Sequence, residues 1–492
     1  MTCILAIDQS TSATKALLYD AGGLLVDKAS HEHRQIYPQP GWVEHDAEEI
    51  WQNTLAAMDE LLARNRTRIG SLACLSLTNQ RETIVVFDRA TGRPLQNAIV
   101  WQCRRGDAIC QELSEAGHGT RVAEQTGLRL DSYFSASKLK WLVRQDPTLQ
   151  DLLARGDALI GTIDTYLIYR LTGGQVFATD HTNASRTLLF DIGGLRWDEW
   201  LCHLFDVPLP ALPEVRESGA CYGETTCQGL LPRALPICGV MGDSQASLFA
   251  HRCFRPGMAK VTFGSGSSVL LNIGQRLRHS AGGSVSAVAW VIGGQPTYCF
   301  EGIINYSAAT VAWLKDQLGL LGSPREAETL AAAVPDNGGV YLVPAFAGLS
   351  APHWNPAARA AVVGLSAHSG RSHLVRAAEE SVAYQIRDVL EMMKVEAGVP
   401  LERIHADGGP TADRFLMQFT ADILGIELEV AETPDCSPLG AVLSGMMGIG
   451  LHASLDELAA LPRAARCYRP AMEPEIVERN YAGWREAVQR VL

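Results

Sequence analysis

The sequence predicts two α/β domains joined near residue 250, and three observations carry that prediction. Its 492 residues exceed the roughly 100 to 200 of an ordinary domain, which calls for two or three. A unit of apolar strand, turn of small residues and second strand occurs twice. It runs Ile4 to Ile7, Asp8 to Thr14 and Ala16 to Tyr19, then Met258 to Phe263, Gly264-Ser265-Gly266-Ser267 and Val269 to Leu271. Each unit is followed by segments with helical periodicity. The expected domains are residues 1–250 and 251–492, arranged as α/β layers around their own cores.

The elements follow in order. Gly22-Gly23 turns the chain into a third strand at Leu24-Leu25-Val26. Trp51, Leu55, Met58 and Leu62 recur at steps of four and three, which predicts an amphipathic helix with Asp46 as its N-cap. Leu75 to Leu77 is a strand that ends at Asn79-Gln80-Arg81-Glu82, and Ile84 to Phe87 and Ala98 to Val100 are further strands. Tyr133-Phe134 falls in a loop. Pro236 to Met241 is apolar, Gly242-Asp243-Ser244 punctuates it, and Gln245 to His251 continues as a helix. In the last third, Leu374 to Met393 and Ala412 to Leu424 read as helices, the second stopped by Gly425, with Asp407-Gly408-Gly409 as a turn between them.

Composition excludes several classes. With 42 basic and 54 acidic residues the net charge is -12, which opposes a nucleic-acid partner that must be met by many cations. No apolar run approaches the roughly 18 residues of a membrane span, and no basic segment precedes the short apolar start. No membrane insertion is expected, and the cytoplasm is the expected location. The twelve cysteines form no Cys-x-x-Cys pair and the histidines no His-Glu-x-x-His spacing, so buried thiols and no structural metal are expected.

Neither a Gly-x4-Gly-Lys-Ser/Thr loop nor a complete dinucleotide fingerprint is present. A turn of small residues still directs several N–H groups into a concavity, where Thr11 or Ser265 adds a hydroxyl donor to phosphate. Asp8 beside the first turn suits a hydrated magnesium ion. Either turn alone is ordinarily just a hairpin. Gly242-Asp243-Ser244-Gln245-Ala246 has the strand, turn and helix of a serine-hydrolase elbow, with Ser244 as nucleophile, but Ala246 stands where that motif needs glycine. Asp243 read instead as a base accepts a proton from a hydroxyl attacking phosphorus. Arg81 and Glu82 pair a donor with an acceptor, as vicinal hydroxyls require; the plainer alternative is a surface ion pair at a strand end. Trp101 and Tyr133 are core aromatics by default, or cover the C–H side of a polyol.

Longer runs carry a resemblance: Ile36 to Asp46, Thr78 to Thr83, Ile99 to Arg105, Thr182 to Thr187, and Pro344 to Leu349 through Ala351-Pro352-His353-Trp354. Over nearly its whole length the chain resembles the FGGY carbohydrate kinases, and among them the glycerol kinases. The resemblance implies two ribonuclease-H-like (actin-like ATPase) domains with an interdomain cleft, the polyol held mainly by the first and ATP by the second. It implies Asp8 and Asp243 at magnesium, and Thr11, Ser12, Lys15, Ser265, Gly266, Gly409 and Asp413 at ATP. Arg81, Glu82, Trp101, Tyr133, Ser244 and Ser268 would line the polyol site with Asp243 as general base. The protein would act as a homodimer or homotetramer.

The chain departs from that pattern in four places. Ser244 and Ser268 stand where glycerol kinases usually carry glutamine and phenylalanine, Asp413 replaces an asparagine, and the regulatory Gly-rich stretch is not reproduced around Cys227 to Pro236. The expected reaction is phosphoryl transfer from ATP to a terminal hydroxyl of a small polyol, glycerol first. A larger polyol or ketose is the alternative that the two serines raise.

Overall fold

The computed structural model describes residues 2–433 and 435–492. Its two main sheets follow one plan. In the first, Cys3–Gln9, Ala13–Asp20 and Leu25–Glu32 form an antiparallel meander, and Leu72–Asn79 and then Leu235–Gly242 add parallel to Cys3–Gln9, with Cys221–Thr225 at the edge. In the second, Met258–Phe263, Ser267–Gly274 and Gln295–Ile304 repeat the meander, and Arg403–Asp407 and Leu428–Ala431 add in parallel on the other side. Every residue of Cys3–Gln9 is buried, as expected of a central strand covered on both faces.

The helices show why sequence bounds shift. Ala47–Arg64 begins where read, because the Asp46 carboxylate accepts from the Glu48 and Glu49 N–H groups. The helix expected from Gln245 starts two residues earlier as Asp243–Ala250, which brings Asp243 into its first turn. The one expected from Ala412 divides into a 3₁₀ turn at Gly409–Ala412 and a helix at Arg414–Leu424, because the Asp413 side chain caps the Leu416 N–H and restarts the chain there. Leu374 to Met393 extends to Arg371–Ala397, and the third strand runs further than Val26, to Glu32.

A four-stranded sheet of Glu44–His45, Ala98–Ile99, Ile84–Asp88 and Ala158–Thr162 adds a layer to the first half, with Val86, Ile99, Leu139 and Ile160 in its core. The halves also share a core, in which Ile4, Cys238 and Phe249 meet Leu270, Trp290, Val442 and Met446. The helix Cys436–Gly448, late in the chain, packs on Asp243–Ala250 so closely that a Cβ at Gly440 would lie 1.8 Å from the Ala246 carbonyl oxygen. Among the described residues no helix is long and apolar enough to cross a membrane.

Candidate active site

Two parallel strands of the first sheet, Leu72–Asn79 and Leu235–Gly242, end side by side with Gly242 opposite Asn79. Carboxyl ends of parallel strands are where α/β sheets place ligands, because the chain leaves there in loops free to carry polar groups. Gln80 to Thr83 leave the first strand and Asp243 the second. Arg81 Nη2 donates to Glu301 Oε1 at 2.7 Å, and Nη1 to Glu301 Oε2 at 3.1 Å and to Gln245 Oε1 at 3.0 Å. Its Nε lies 3.1 Å from Asp243 Oδ1, close enough for an ion pair but out of line for a hydrogen bond. Arg186 Nε donates to Glu82 Oε1 at 2.6 Å, and its Nη1 lies 2.8 Å from Glu301 Oε2.

This overturns the plainer reading of Arg81 and Glu82. Both are buried, and they lie 4.0 Å apart at their closest, each paired with a residue distant in sequence. Glu82 holds a left-handed φ of 62°, a backbone cost of about 1 to 2 kcal/mol that the buried network around it maintains. Burial alone would push the Glu301 carboxyl up, yet Arg186 and Arg81 hold it down at about 2; for Glu82 burial prevails and the shift is upward. The Asp243 side chain stays 41% exposed beside the 4% of Arg81, so it faces open space from a fixed base.

Aromatic groups bound the same space. The Trp101 and Tyr133 rings meet at 5.2 Å, and Trp101 Nε1 donates to Thr11 Oγ1 at 3.0 Å. The loop bearing Tyr133 is gathered by the buried Lys138, whose Nζ donates to the carbonyl oxygens of Ser132, Tyr133 and Phe134 at 2.6, 2.8 and 2.9 Å. Burial lowers the Lys138 pKa to about 8 against the opposing charge of Glu82. Ser268 Oγ is 3.4 Å from Glu301 Oε1, and the Ser244 N–H donates to Asp243 Oδ1 at 2.6 Å.

Two loops approach from the sheets. In the first, the Thr11 carbonyl accepts from His33 Nε2 at 2.8 Å and Gln35 Nε2 at 2.7 Å, while Ser12 is exposed. Asp8 pairs across the hairpin with Lys15, whose Nζ is 3.0 Å from Asp8 Oδ2 and 3.3 Å from Asp435 Oδ1. Burial pushes the Asp8 carboxyl up; Lys15 opposes this, and the charges of Asp243 and Asp435 add to it. In the second loop the Gly264 N–H donates to the Gly266 carbonyl at 2.9 Å, and the Ser265 carbonyl accepts from Ser307 and Ala309 at 2.8 and 3.1 Å. Gly408, at φ 101°, passes so near Phe263 that a Cβ would lie 1.9 Å from its carbonyl oxygen, which carries the chain to Gly409. Asp407 faces the interior, accepting from Ser247 Oγ at 2.6 Å with His251 Nε2 at 3.1 Å, and so joins the helix bearing Asp243 to the second sheet. Asp413 is half-buried and occupied as a helix cap.

Two sheets of one plan, each with a hairpin loop of small residues, match one family along most of the chain. The sequence profile of the FGGY family of carbohydrate kinases matches with its N-terminal domain at residues 3–250 and its C-terminal domain at 259–449. The chain belongs to the FGGY family of carbohydrate kinases. Glycerol kinase of Symbiobacterium thermophilum is 47% identical over 487 residues, 99% of this chain and 98% of that one. Glycerol kinase 1 of Thermotoga maritima is 43% identical over 490 residues, 99% of each. The crystal structure of Plasmodium falciparum glycerol kinase with ADP superposes with a TM-score of 0.95 at 34% identity, over 100% of this chain and 98% of that one. A ligand-bound xylulose kinase from Lactobacillus acidophilus shares the fold, with a TM-score of 0.89 at 20% identity over 100% of this chain and 98% of its own. This FGGY kinase therefore has the two actin-like ATPase domains expected and is an ATP-dependent enzyme.

Sequence reasoning missed three residues of this buried network: Arg186, Gln245 and Glu301. Glu301 carried the clearest signal, a single acid after the apolar run Tyr298-Cys299-Phe300, where a buried charge needs a partner. Arg186 and Gln245 sit in segments singled out for other reasons, and nothing local marks their partners.

Proposed function

We propose that this kinase transfers the γ-phosphoryl group of magnesium-ATP to a terminal hydroxyl of a small polyol, glycerol first, to give sn-glycerol 3-phosphate. The observation that carries the reading is the setting of Asp243: half-exposed at the strand ends, flanked by the buried Arg81, and close enough to Asp8 for its charge to help push the Asp8 carboxyl up. Asp243 accepts the proton of the attacking hydroxyl. Arg81 and Glu82 hold the neighbouring hydroxyls, and Trp101 and Tyr133 cover the carbon chain. Thr11, Ser12 and Lys15 on one loop, and Ser265, Gly266, Gly409 and Asp413 on the other side, hold ATP with backbone and hydroxyl donors.

The mutual repulsion of Asp8 and Asp243 fits a divalent cation between them and the phosphates, and magnesium bound there would supply positive charge to the transferring group. The enzyme works in the cytoplasm as a homodimer or homotetramer in this reading. A second reading, a polyol longer than glycerol, is favoured by one observation: Ser268 puts a small hydroxyl beside the Glu301 that pairs with Arg81, 3.4 Å from its Oε1, which suits a further hydroxyl better than an aromatic ring would. ADP production with magnesium-ATP and glycerol, erythritol, pentitols or ketopentoses separates the two by kcat/KM. Asp243→Asn is expected to lower kcat by roughly 10²- to 10⁴-fold with ATP binding retained; near-normal turnover would refute the base.

A further inference from the structure

The Arg81 guanidinium belongs to the first domain, but the group that fixes it belongs to the second. Glu301 stands on Gln295–Ile304, in the second sheet, opposite Leu270 and Val285. Its two oxygens take one hydrogen bond from each Arg81 Nη, a bidentate fork that sets the plane of the guanidinium as well as its position. The same carboxylate neutralises Arg186, whose Nη1 is 2.8 Å away, and receives the Ser268 hydroxyl at 3.4 Å. Arg81, Arg186, Glu82 and Glu301 are all at most 5% exposed, so water cannot stand in for a lost partner. Two further anions stand at the Arg81 Nε, Asp243 at 3.1 Å and Glu82, itself tied to Arg186, at 4.0 Å.

From this geometry we infer that Glu301 is a positioning residue: it reaches across from the nucleotide-side domain and holds Arg81 in the orientation that binds polyol, away from full pairing with Asp243. The inference rests on the polyol-kinase reading. It makes polyol affinity a property of both domains, because the arginine is correctly aimed only while the second sheet lies against the first. While the fork is in place Glu301 sets the plane of the guanidinium; without it the guanidinium turns towards Asp243, out of the orientation that meets polyol.

The test is steady-state kinetics of the full-length enzyme with magnesium-ATP and its best polyol, comparing the wild type with Glu301→Gln, which keeps the shape and one acceptor oxygen but removes the charge. The expected result is a polyol KM raised at least about tenfold with an ATP KM changed less than about twofold. Combination with Arg81→Lys is expected to be strongly non-additive, since both changes break the same fork. A merely structural role would lower the active fraction and thus kcat, leaving both KM values in place; that outcome overturns the inference, as does additivity. If Glu301→Gln does not fold, Glu301→Asp keeps the charge on a shorter stem, and a polyol KM unchanged in that variant overturns it equally. Wild-type turnover that needs no polyol would instead sink the underlying reading, so the two failures are told apart.

Discussion

The two loops of small residues grow from equivalent hairpins of the two sheets, yet they are held by different means. The first, between Cys3–Gln9 and Ala13–Asp20, is fixed by side chains: His33 and Gln35 on the Thr11 carbonyl, Trp101 on the Thr11 hydroxyl, and His45 Nε2 at 2.8 Å from Gln35 Oε1 behind them. The second, between Met258–Phe263 and Ser267–Gly274, is fixed by main chain: Gly264 to Gly266, Ser307 and Ala309 to Ser265. A shared topology thus settles where a loop stands, while the local sequence settles what keeps it there. The first loop should fail by loss of a partner or by titration, and the second by loss of space.

The largest effect is expected in the second loop. In Gly266→Ala the new Cβ would lie 2.4 Å from the Ile304 carbonyl oxygen, and main chain has no rotamer with which to give way. A displacement cost of about 2 kcal/mol corresponds to a roughly thirtyfold rise in ATP KM, measured by initial rates at saturating polyol. An unchanged ATP KM would mean that this loop does not hold nucleotide.

Trp101→Phe tests the first loop by subtraction. It removes the indole N–H that reaches Thr11 Oγ1 but keeps an aromatic face towards Tyr133. A hydrogen bond of about 1 kcal/mol predicts a rise near fivefold in ATP KM. Because the same ring lines the polyol space, polyol KM should rise with it; a change in polyol KM alone would uncouple ring from loop.

A smaller effect is expected from pH. The Lys138 ammonium gathers three carbonyls of the Tyr133 loop, and with a pKa near 8 it loses its proton as pH rises past that value, and at least one of the three bonds with it. Polyol KM should therefore climb about threefold between pH 7.5 and 9 while ATP KM stays level; a flat polyol KM over that range would remove the clamp from the account.

The smallest effect concerns stability in acid. Burial, with His33 next, holds His45 neutral down to about pH 3, whereas in the unfolded chain it titrates near 6.5. Below about 6.5 the unfolded state takes up a proton that the folded state refuses. This share of stability is thus whole above 6.5 and lost progressively as pH falls towards 3. In thermal unfolding between pH 7 and 5, His45→Gln should show a shallower fall of Tm than the wild type; parallel curves would count against the assignment.

The fold was legible because its signals are local. Alternation and apolar runs marked Cys3–Gln9, Met258–Phe263 and Ala47–Arg64, and glycine marked the end of Arg414–Leu424. Element starts were less legible where a side chain decides them, as with Asp413. In the candidate site, Asp243, Arg81 and Glu82 stand in short motifs and leave two adjacent strand ends, whereas Trp101 and Tyr133 read locally as core aromatics and only the resemblance singles them out. The partners that fix them were not legible, because 220 residues separate Arg81 from Glu301 and 104 separate Arg186 from Glu82.

The sequence by itself determined that the chain has two α/β halves, each with its hairpin and small-residue turn, and which residue types were fit to meet phosphate and hydroxyl. Backbone conformation and the burial of apolar faces depend on neighbours within a few positions, so a linear reading reaches them. Only the tertiary structure decided that Arg81 and Glu82 are buried instead of exposed, that Asp407 looks inward, and that Glu301 from one half fixes an arginine of the other. A charge's behaviour is set by its desolvation and by the partners around it, and those partners come together only when the two sheets pack.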